Sequence, residues 1–578
     1  MFQIPKSYTD DSLLYSRYDD IQWINHYDLL IELVSDEDRS NLPNYYRSRA
    51  SHLYREGRYL DSINDLLESN KLENNNDNLV SLAFCYKKLG NLKKAKEILE
   101  KYCSLYPDDI FIKDYITDFI DISINSGNIE EIKNDFSRLK KFVVKNDSNL
   151  DKIDIKYYTK EYREIVSNRE ISKGESVLEV GQKAIITTEM GKETKIGKEV
   201  LKQKLSLLSK HNWIAFVLLE ILRAKNLDLF PYIKILPKNF NSVPIFYQKE
   251  YLDYLKGSQC IQKINQRRLL ILKDYQTLIT NIPSMKNFTY AEYIWARTVV
   301  ITRIFGVVID NNKTQALVPY ADMLNHTLRP KTRWLFDDKE KIFKIITKEK
   351  LSKGEPIFDT YGRKCNSRFF VNYGFVIDNN IDNMVNFDFD LSCSYIKFLK
   401  KKKWHSKFKK VPTTYSIGAK VKNNDKLSLF LAIARYFVCE DEEYFGKSLT
   451  PFLYPISVTN EKQALKYIMY LCINHLKRYS RSKIEDLNIL LDPLHKYNHS
   501  YSRIRNCIII TYSEKQIYDF YLKMCIMSLK ILNLDFHVLM KTDLLLQGLQ
   551  SKYKEYIHEY ICKILNKNKE LDNYLKQN

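Results

Sequence analysis

The pentapeptide Ile171-Ser172-Lys173-Gly174-Glu175 returns almost unchanged as Leu351-Ser352-Lys353-Gly354-Glu355, and each copy leads into a β-rich run, SVLEV after the first and PIFDTY after the second. Glycine permits the tight turn, and the apolar residues that follow build a strand. A hairpin is readable in Trp334-Leu335-Phe336, turning at Asp337-Asp338 and returning through Ile342 to Ile346. Residues from about 200 to 300 read as a helical insertion, with Trp213 to Leu222 and Tyr290 to Arg303 as its clearest helices. Short strands interrupted by a helical insert are therefore expected over 158–385.

The flanks are helical. Gly57-Arg58-Tyr59 with Ser62 recurs 33 residues later as Gly90-Asn91-Leu92 with Ala95, and Pro107 falls where such a unit would end. Asn78 to Pro107 resembles a tetratricopeptide repeat, with Tyr86, Gly90 and Ala95 at its packing positions. A weaker third unit surrounds Gly127. Residues 41–145 thus read as a short helical solenoid, since about three hairpins are needed for a stacked core, preceded by a helical extension over 1–40. From about 420 to 578 the chain is helical again. Asn460-x-x-Gln463 and Ser513-x-x-Gln516 have capping-box form. Leu465, Ile468, Met469, Cys472 and Leu476 make one apolar face, and Ile517, Phe520, Tyr521, Met524 and Met527 another. Lys397 to Lys410 holds eight lysines in fourteen residues, interleaved with Phe398, Trp404 and Phe408. It reads as a solvated loop, or as a nuclear-import or phosphate-binding patch.

A chain of 578 residues exceeds one core, and the whole is an α+β multidomain protein. The formal net charge of +20 would ordinarily point to nucleic acid. Lys, Asn, Ile and Tyr are over-used throughout, however, as an A+T-rich coding sequence would produce, and no domain is the basic one. The ten cysteines lack C-x-x-C pairs and histidines at zinc spacing, so neither a disulfide framework nor a metal site is expected. Reduced thiols fit a cytoplasmic protein, possible nuclear import aside. The N-terminus lacks a signal-peptide core, and no run approaches about 18 apolar residues, so a membrane role is not expected.

Leu317 to His326 reads LVPYADMLNH, and Asp359-Thr360-Tyr361-Gly362 and Asn372-Tyr373-Gly374-Phe375 follow it in order. Together these motifs resemble the C-terminal half of a SET-domain methyltransferase, in the branch typified by the RuBisCO large-subunit methyltransferase. The resemblance extends to Phe288-Thr289-Tyr290, Trp295-Ala296 and Thr302-Arg303 ahead of the motif strand, and to Asn366, Asn379 and Asp382 after it. Pro455-Ile456, Asn460-Glu461, Tyr479, Asp486 and Glu514-Lys515 resemble the helical substrate-binding domain of these enzymes. In the family the chain passes through a knot-like crossing at Asn325-His326, so that both motifs converge on S-adenosylmethionine.

The resemblance implies a protein methyltransferase using S-adenosylmethionine without metal. An amine attacking a sulfonium methyl needs in-line approach, exclusion of water and a neutral lone pair, which an apolar aromatic channel supplies. By this likeness Tyr361 is the catalytic tyrosine, orienting the amine and the polarised methyl group through weak C–H to oxygen contacts. Asn325 and His326 would hold the cofactor, Arg303 would support it, and Phe375 with Tyr373 would wall the channel. Asp322 matches the motif as a turn or supporting carboxylate. Histidine-methylating members carry a polar amide two residues after the matched arginine, and lysine-methylating members tend to carry an aromatic. Here that residue is Phe305, which packs against a lysine stem and offers an imidazole nothing, so lysine is favoured.

One departure stands at the start of the domain. Members usually carry a G-x-G turn where the backbone approaches the cofactor, and Tyr162-Arg163-Glu164 occupies that place, with Glu164 on the cofactor wall. Three readings follow: a lysine methyltransferase acting on a non-histone protein, with a solenoid that recruits partners; a silent SET scaffold; or a histidine methyltransferase. A nucleic-acid adaptor is supported by charge alone.

Overall fold

The computed structural model describes residues 20–34, 39–73, 75–116, 129–157, 163–224, 228–389, 412–419, 424–440, 448–497 and 502–532. The chain divides into two compact units, Met1–Phe240 with Arg268–Gly362 and Leu487–Arg505, and Asn241–Arg267 with Arg363–Asp486 and Asn506–Asn578.

The first unit opens with helices α1 (Asp20–Glu32), α2 (Leu42–Arg55), α3 (Tyr59–Leu72), α4 (Asp77–Lys88), α5 (Leu92–Leu105), α6 (Ile110–Tyr115) and α7 (Ile129–Lys145). The recurring glycines sit between α2 and α3 and between α4 and α5. Gly57 and Gly90 both take φ +79°, a left-handed turn that a Cβ disfavours, so each helix stops and the chain folds back. Ala50, Leu66, Val80, Ala83, Ala95 and Leu99 fill the hairpin core. Leu494 joins that core, and Ser81 donates to its carbonyl at 2.9 Å. That return of the chain has no signal in the sequence. The Gly127 unit lies outside the described residues.

Ten strands follow: β1 (Ile153–Tyr157), β2 (Arg163–Ser167), β3 (Ser176–Gly181), β4 (Ile186–Thr187), β5 (Phe305–Ile309), β6 (Asn312–Leu317), β7 (Asn325–His326), β8 (Thr332–Asp337), β9 (Ile342–Thr347) and β10 (Phe358–Asp359). β1 pairs with β2, β3 with β9 and β9 with β8, all antiparallel; β6 lies between β4 and β5, and β7 pairs with β10 in parallel. The two pentapeptide copies lie against each other. Ile171 and Leu351 exchange backbone hydrogen bonds at 3.0 Å, and Glu175 and Glu355 each cap their own turn by accepting from Ser172 and Ser352. The run PIFDTY yields a shorter strand than its pattern indicates, because only Phe358 and Asp359 find a partner in β7.

The insertion supplies α8 (His211–Arg223), α9 (Phe230–Ile235) and α10 (Tyr290–Arg303). Arg297 of α10, fully buried, donates to Asn212 at 2.7 Å and to Asp274 at 3.1 Å, tying α10 to α8.

The second unit contains α11 (Asn366–Tyr373), β11 (Val385–Asp388), β12 (Thr414–Ile417), α12 (Asn424–Val438), α13 (Val458–Leu476), α14 (Lys483–Leu491) and most of α15 (Arg503–Leu532). Phe387, Phe430, Leu465, Ile468, Tyr518 and Tyr521 centre its core. Both expected capping boxes are corrected. Ser457 caps α13 by accepting from Asn460 N, so Asn460 stands inside the helix and donates instead to the Arg435 carbonyl. Ser513 lies mid-helix in α15 and back-bonds to Ile509, while Ser502 accepts from Arg505 N at the helix start. In each case the side chain found a better acceptor once packing had set the helix phase. The lysine-rich segment Lys397–Lys410 lies outside the described residues.

Candidate functional site

The parallel pairing of β7 with β10 sets Asn325 beside Phe358 and His326 beside Asp359. The chain leaving β10 then carries Tyr361 back over His326. The Tyr361 amide donates to His326 Nδ1 at 3.0 Å, and the two rings stack at 5.1 Å with 28° between their planes. An amide donor requires Nδ1 to accept, which places the proton of the neutral imidazole on Nε2. The Tyr361 hydroxyl donates to the Leu324 carbonyl at 2.9 Å. With its one proton so engaged, the phenolic oxygen presents lone pairs.

Beneath this pair lies a buried charge cluster. Arg303, the last residue of α10, donates through Nη1 to the Asp322 carbonyl at 3.0 Å and to Asp322 Oδ2 at 3.2 Å. The same Oδ2 accepts from Tyr232 of α9 at 2.6 Å. Burial lifts the Asp322 carboxyl, against the pull of Arg303 and the Tyr232 hydroxyl. Burial also works against the Arg303 charge, but Asp322 and the phenols of Tyr232 and Tyr361 outweigh it, and the guanidinium is raised. Arg303 Nε and Asp322 Oδ1 remain buried without hydrogen-bond partners, as does Oδ1 of Asp359. Each is a group a polar ligand could satisfy. Burial pushes the Asp359 carboxyl up to about 6.

Tyr320 opens the turn before Asn325 with φ +67° and ψ −46°. That conformation costs a bulky residue about 1 to 3 kcal/mol and persists only where the surroundings impose it.

The other expected site residues are distributed as follows. Glu164, half-buried in β2, pairs with Lys156 of β1. Phe305, at the start of β5, packs edge-on against Trp334 at 5.7 Å and Phe343 at 5.2 Å. Tyr373 and Phe375 belong to the second unit, where Phe375 stacks on Phe369 at 5.2 Å and lies 6.0 Å from Tyr373. Gly374 between them takes φ +78°, and a Cβ there would stand 2.7 Å from the Ser242 backbone. Thus Arg303, Asp322, Asn325, His326 and Tyr361 come together in one unit. Phe305 packs in an aromatic cluster of that unit. Sequence reasoning missed Tyr232, which no motif marks, and Asp359, which was visible as a charge inside an apolar run. Among the described residues no cluster of His, Cys, Asp or Glu is arranged to hold a metal ion.

Residues 163–362 match the SET domain family, and residues 398–517 match the Rubisco LSMT substrate-binding family. The chain is a SET-domain protein with a Rubisco LSMT substrate-binding domain. The chain is 26% identical over 272 residues to the actin-histidine N-methyltransferase of Gallus gallus, covering 45% of each chain. To the ribosomal lysine N-methyltransferase set10 of Schizosaccharomyces pombe the identity is 31% over 170 residues, covering 28% of this chain and 31% of that protein. The human actin-histidine N-methyltransferase is 24% identical over 409 residues, covering 66% of this chain and 67% of its own length. The match thus spans less than half of the chicken and fission-yeast relatives. A solved structure of the SET domain of LSMT bound to lysine and AdoHcy shares the fold, with a TM-score of 0.57 at 17% identity over 74% of this chain and 99% of that one.

Proposed function

We propose that this chain is an S-adenosylmethionine-dependent protein methyltransferase whose acceptor is a lysine side chain of a non-histone protein. The observation that carries the reading is the locked pair of Tyr361 on His326 beside Asn325, with the phenolic proton spent on Leu324. The residues present fit the cofactor. It is a polar zwitterion with a cationic sulfur, and the buried cluster beside Tyr361 leaves Arg303 Nε and Asp322 Oδ1 to be satisfied. Asn325 and His326 would hold it from β7, with Arg303 behind them, and Glu164 near the start of β2 is proposed to contact it as well. When bound it supplies an electrophilic methyl group to a neutral amine.

The chain's own residues do the rest. Tyr361 presents acceptor lone pairs toward the reacting groups, because its hydroxyl hydrogen is committed to a backbone carbonyl. His326 holds Tyr361 in register from behind, and the Arg303–Asp322–Tyr232 cluster fixes the turn that carries Asn325. The apolar surroundings of Phe305, the rings of Trp334 and Phe343, suit a lysine stem and lower the cost of losing its proton. The helical repeats are available to a protein partner.

A histidine acceptor is the second reading, favoured by the likeness to two actin-histidine methyltransferases. Against it stands Phe305, whose ring lies edge-on against the stacked rings of Trp334 and Phe343 and offers no hydrogen bond to an imidazole. Titration calorimetry with S-adenosylmethionine tests the cofactor, and mass spectrometry of bulk protein incubated with enzyme and labelled cofactor tests the acceptor. Label on lysine supports the proposal. Label on histidine alone selects the second reading, and no binding at all leaves a scaffold.

A further inference from the structure

Phe136 sits on α7, ahead of the residues that match the SET domain, and is 3% exposed. Two elements of the domain, and the strand that precedes it, converge on it. Its ring lies 6.1 Å from that of Tyr320, and the Tyr320 hydroxyl donates to the Phe136 carbonyl at 3.1 Å. The Arg163 guanidinium stands over the same ring at 5.0 Å, and Tyr157 of β1 meets it at 5.9 Å. Arg163 also donates to the Ile235 carbonyl at the end of α9, at 2.7 Å. α9 in turn supplies Tyr232 to the Asp322 carboxylate.

These contacts meet two needs at once. Tyr320 is the left-handed residue that turns the chain into Asp322, Asn325 and His326, and such a backbone must be imposed from outside the turn. Arg163 opens β2 with a long charged side chain that is half-buried, so its guanidinium needs an anchor within the fold. A guanidinium over an aromatic face is such an anchor, worth more where water is excluded.

We propose that Phe136 is a positioning residue for cofactor binding: α7, from outside the SET span, fixes the Tyr320 turn that leads into Asn325 and His326 and, with it, the Arg163 end of β2. The proposal rests on the methyltransferase reading above. It makes the helical N-terminal region part of the cofactor site rather than an accessory joined to it.

The test compares Phe136→Ala, Tyr320→Phe and Phe430→Ala in the full chain. Phe430 is a buried core ring of the second unit and serves as the control for general loss of stability. Titration with S-adenosylmethionine should show affinity falling at least tenfold in Phe136→Ala and about threefold in Tyr320→Phe, with Phe430→Ala near wild type. Hydrogen exchange of amides 320–326 in cofactor-free protein should quicken in the first two and not in the third. Should Phe136→Ala fail to fold, Tyr320→Phe keeps every ring and removes one hydroxyl. Unchanged affinity and exchange, or equal changes in Phe430→Ala, overturn the proposal. If the wild type binds no S-adenosylmethionine, the methyltransferase reading and the cofactor role fail together, and exchange then reports only whether α7 braces the turn.

Discussion

Both units of this chain bury arginines against carboxylates, and two of these pairs, Arg435–Glu461 and Arg303–Asp322, are finished differently. In the second unit Arg435 and Glu461 are both fully buried. Arg435 donates to both oxygens of Glu461 and spends Nη1 on the carbonyls of Phe452 and Leu453. In the first unit Arg303 meets Asp322 through Nη1, leaving Arg303 Nε and Asp322 Oδ1 buried and unpartnered. A closed pair holds helices together. A pair with spare donors and acceptors is unfinished as structure, and beside Tyr361 it is ready for a polar ligand.

The largest effect that would break this contrast is on stability. Arg435→Ala strands the Glu461 charge in the core and should cost about 3 to 5 kcal/mol, whereas replacing both residues with apolar ones should be far milder. Arg303→Ala should cost less, because Arg303 is partly open to solvent, and should instead weaken S-adenosylmethionine binding. Denaturant unfolding of each variant, with calorimetric titration of the cofactor, checks both. Equal destabilisation by the two arginines, without loss of binding in the second, would make the pairs alike.

Next in size is the chemistry. Tyr361→Phe should lower turnover by roughly 100-fold, the scale of losing one oriented polar group at a reacting centre, while cofactor affinity stays near wild type. Asn325→Ala should do the reverse, weakening binding by roughly 1 to 3 kcal/mol through the lost hydrogen bonds. Radiolabel transfer and titration on the same preparations separate them. Identical losses of binding would remove the role given to the tyrosine.

How far these roles were visible in the sequence differs between the units for a physical reason. Tyr361, Asn325, His326 and Arg303 stand in contiguous motifs because they lie on strand ends and a helix end joined by short turns, so sequence order preserves their neighbourhood. The same holds for the twin pentapeptides, whose glycine turns could be read before their pairing and their Glu caps could. Tyr232 and Phe136 were illegible: each reaches the site from a helix of ordinary apolar composition, and only packing aims it. In the second unit Asn460, Glu461, Asp486 and Lys515 were noticed as a pattern but not as a buried network. There Lys515 pairs with Asp486 at 2.6 Å and Tyr479 with Glu514 at 2.8 Å. The caps misplaced at Asn460 and Ser513 share that cause, since tertiary packing chose the helix phase over the local signal.

A smaller effect follows from Asp359. Burial raises its carboxyl from an ordinary 3.8 to about 6. A raised carboxyl contributes stability that is full below the unfolded value and is lost as pH climbs through the folded one, so its ionised form is a liability above about pH 6. Asp359→Asn should therefore gain stability between about pH 4 and 6 and hold a gain of about 2 to 3 kcal/mol above that window. Melting curves of wild type and variant across pH 4 to 8 measure it. A parallel offset at all pH values would show that Asp359 does not titrate in that range.

The smallest expected effect concerns the acceptor. Phe305 stands two residues after Arg303, and its ring is held edge-on by Trp334 and Phe343, so the position is apolar and rigid. An imidazole acceptor gains from a neighbouring amide that fixes its tautomer, and a hydrogen bond of that kind is worth roughly 1 to 3 kcal/mol in a buried site. Phe305→Asn should thus raise transfer to histidine peptides by about tenfold relative to lysine peptides. It should do so at some expense of stability, because the amide replaces a ring packed edge-on against two others. Competition between matched lysine and histidine peptides, read by mass spectrometry, gives the ratio directly. A wild-type preference for histidine that Phe305→Asn leaves unchanged would mean that this position does not set the acceptor, and that selection lies in residues the aromatic cluster does not touch.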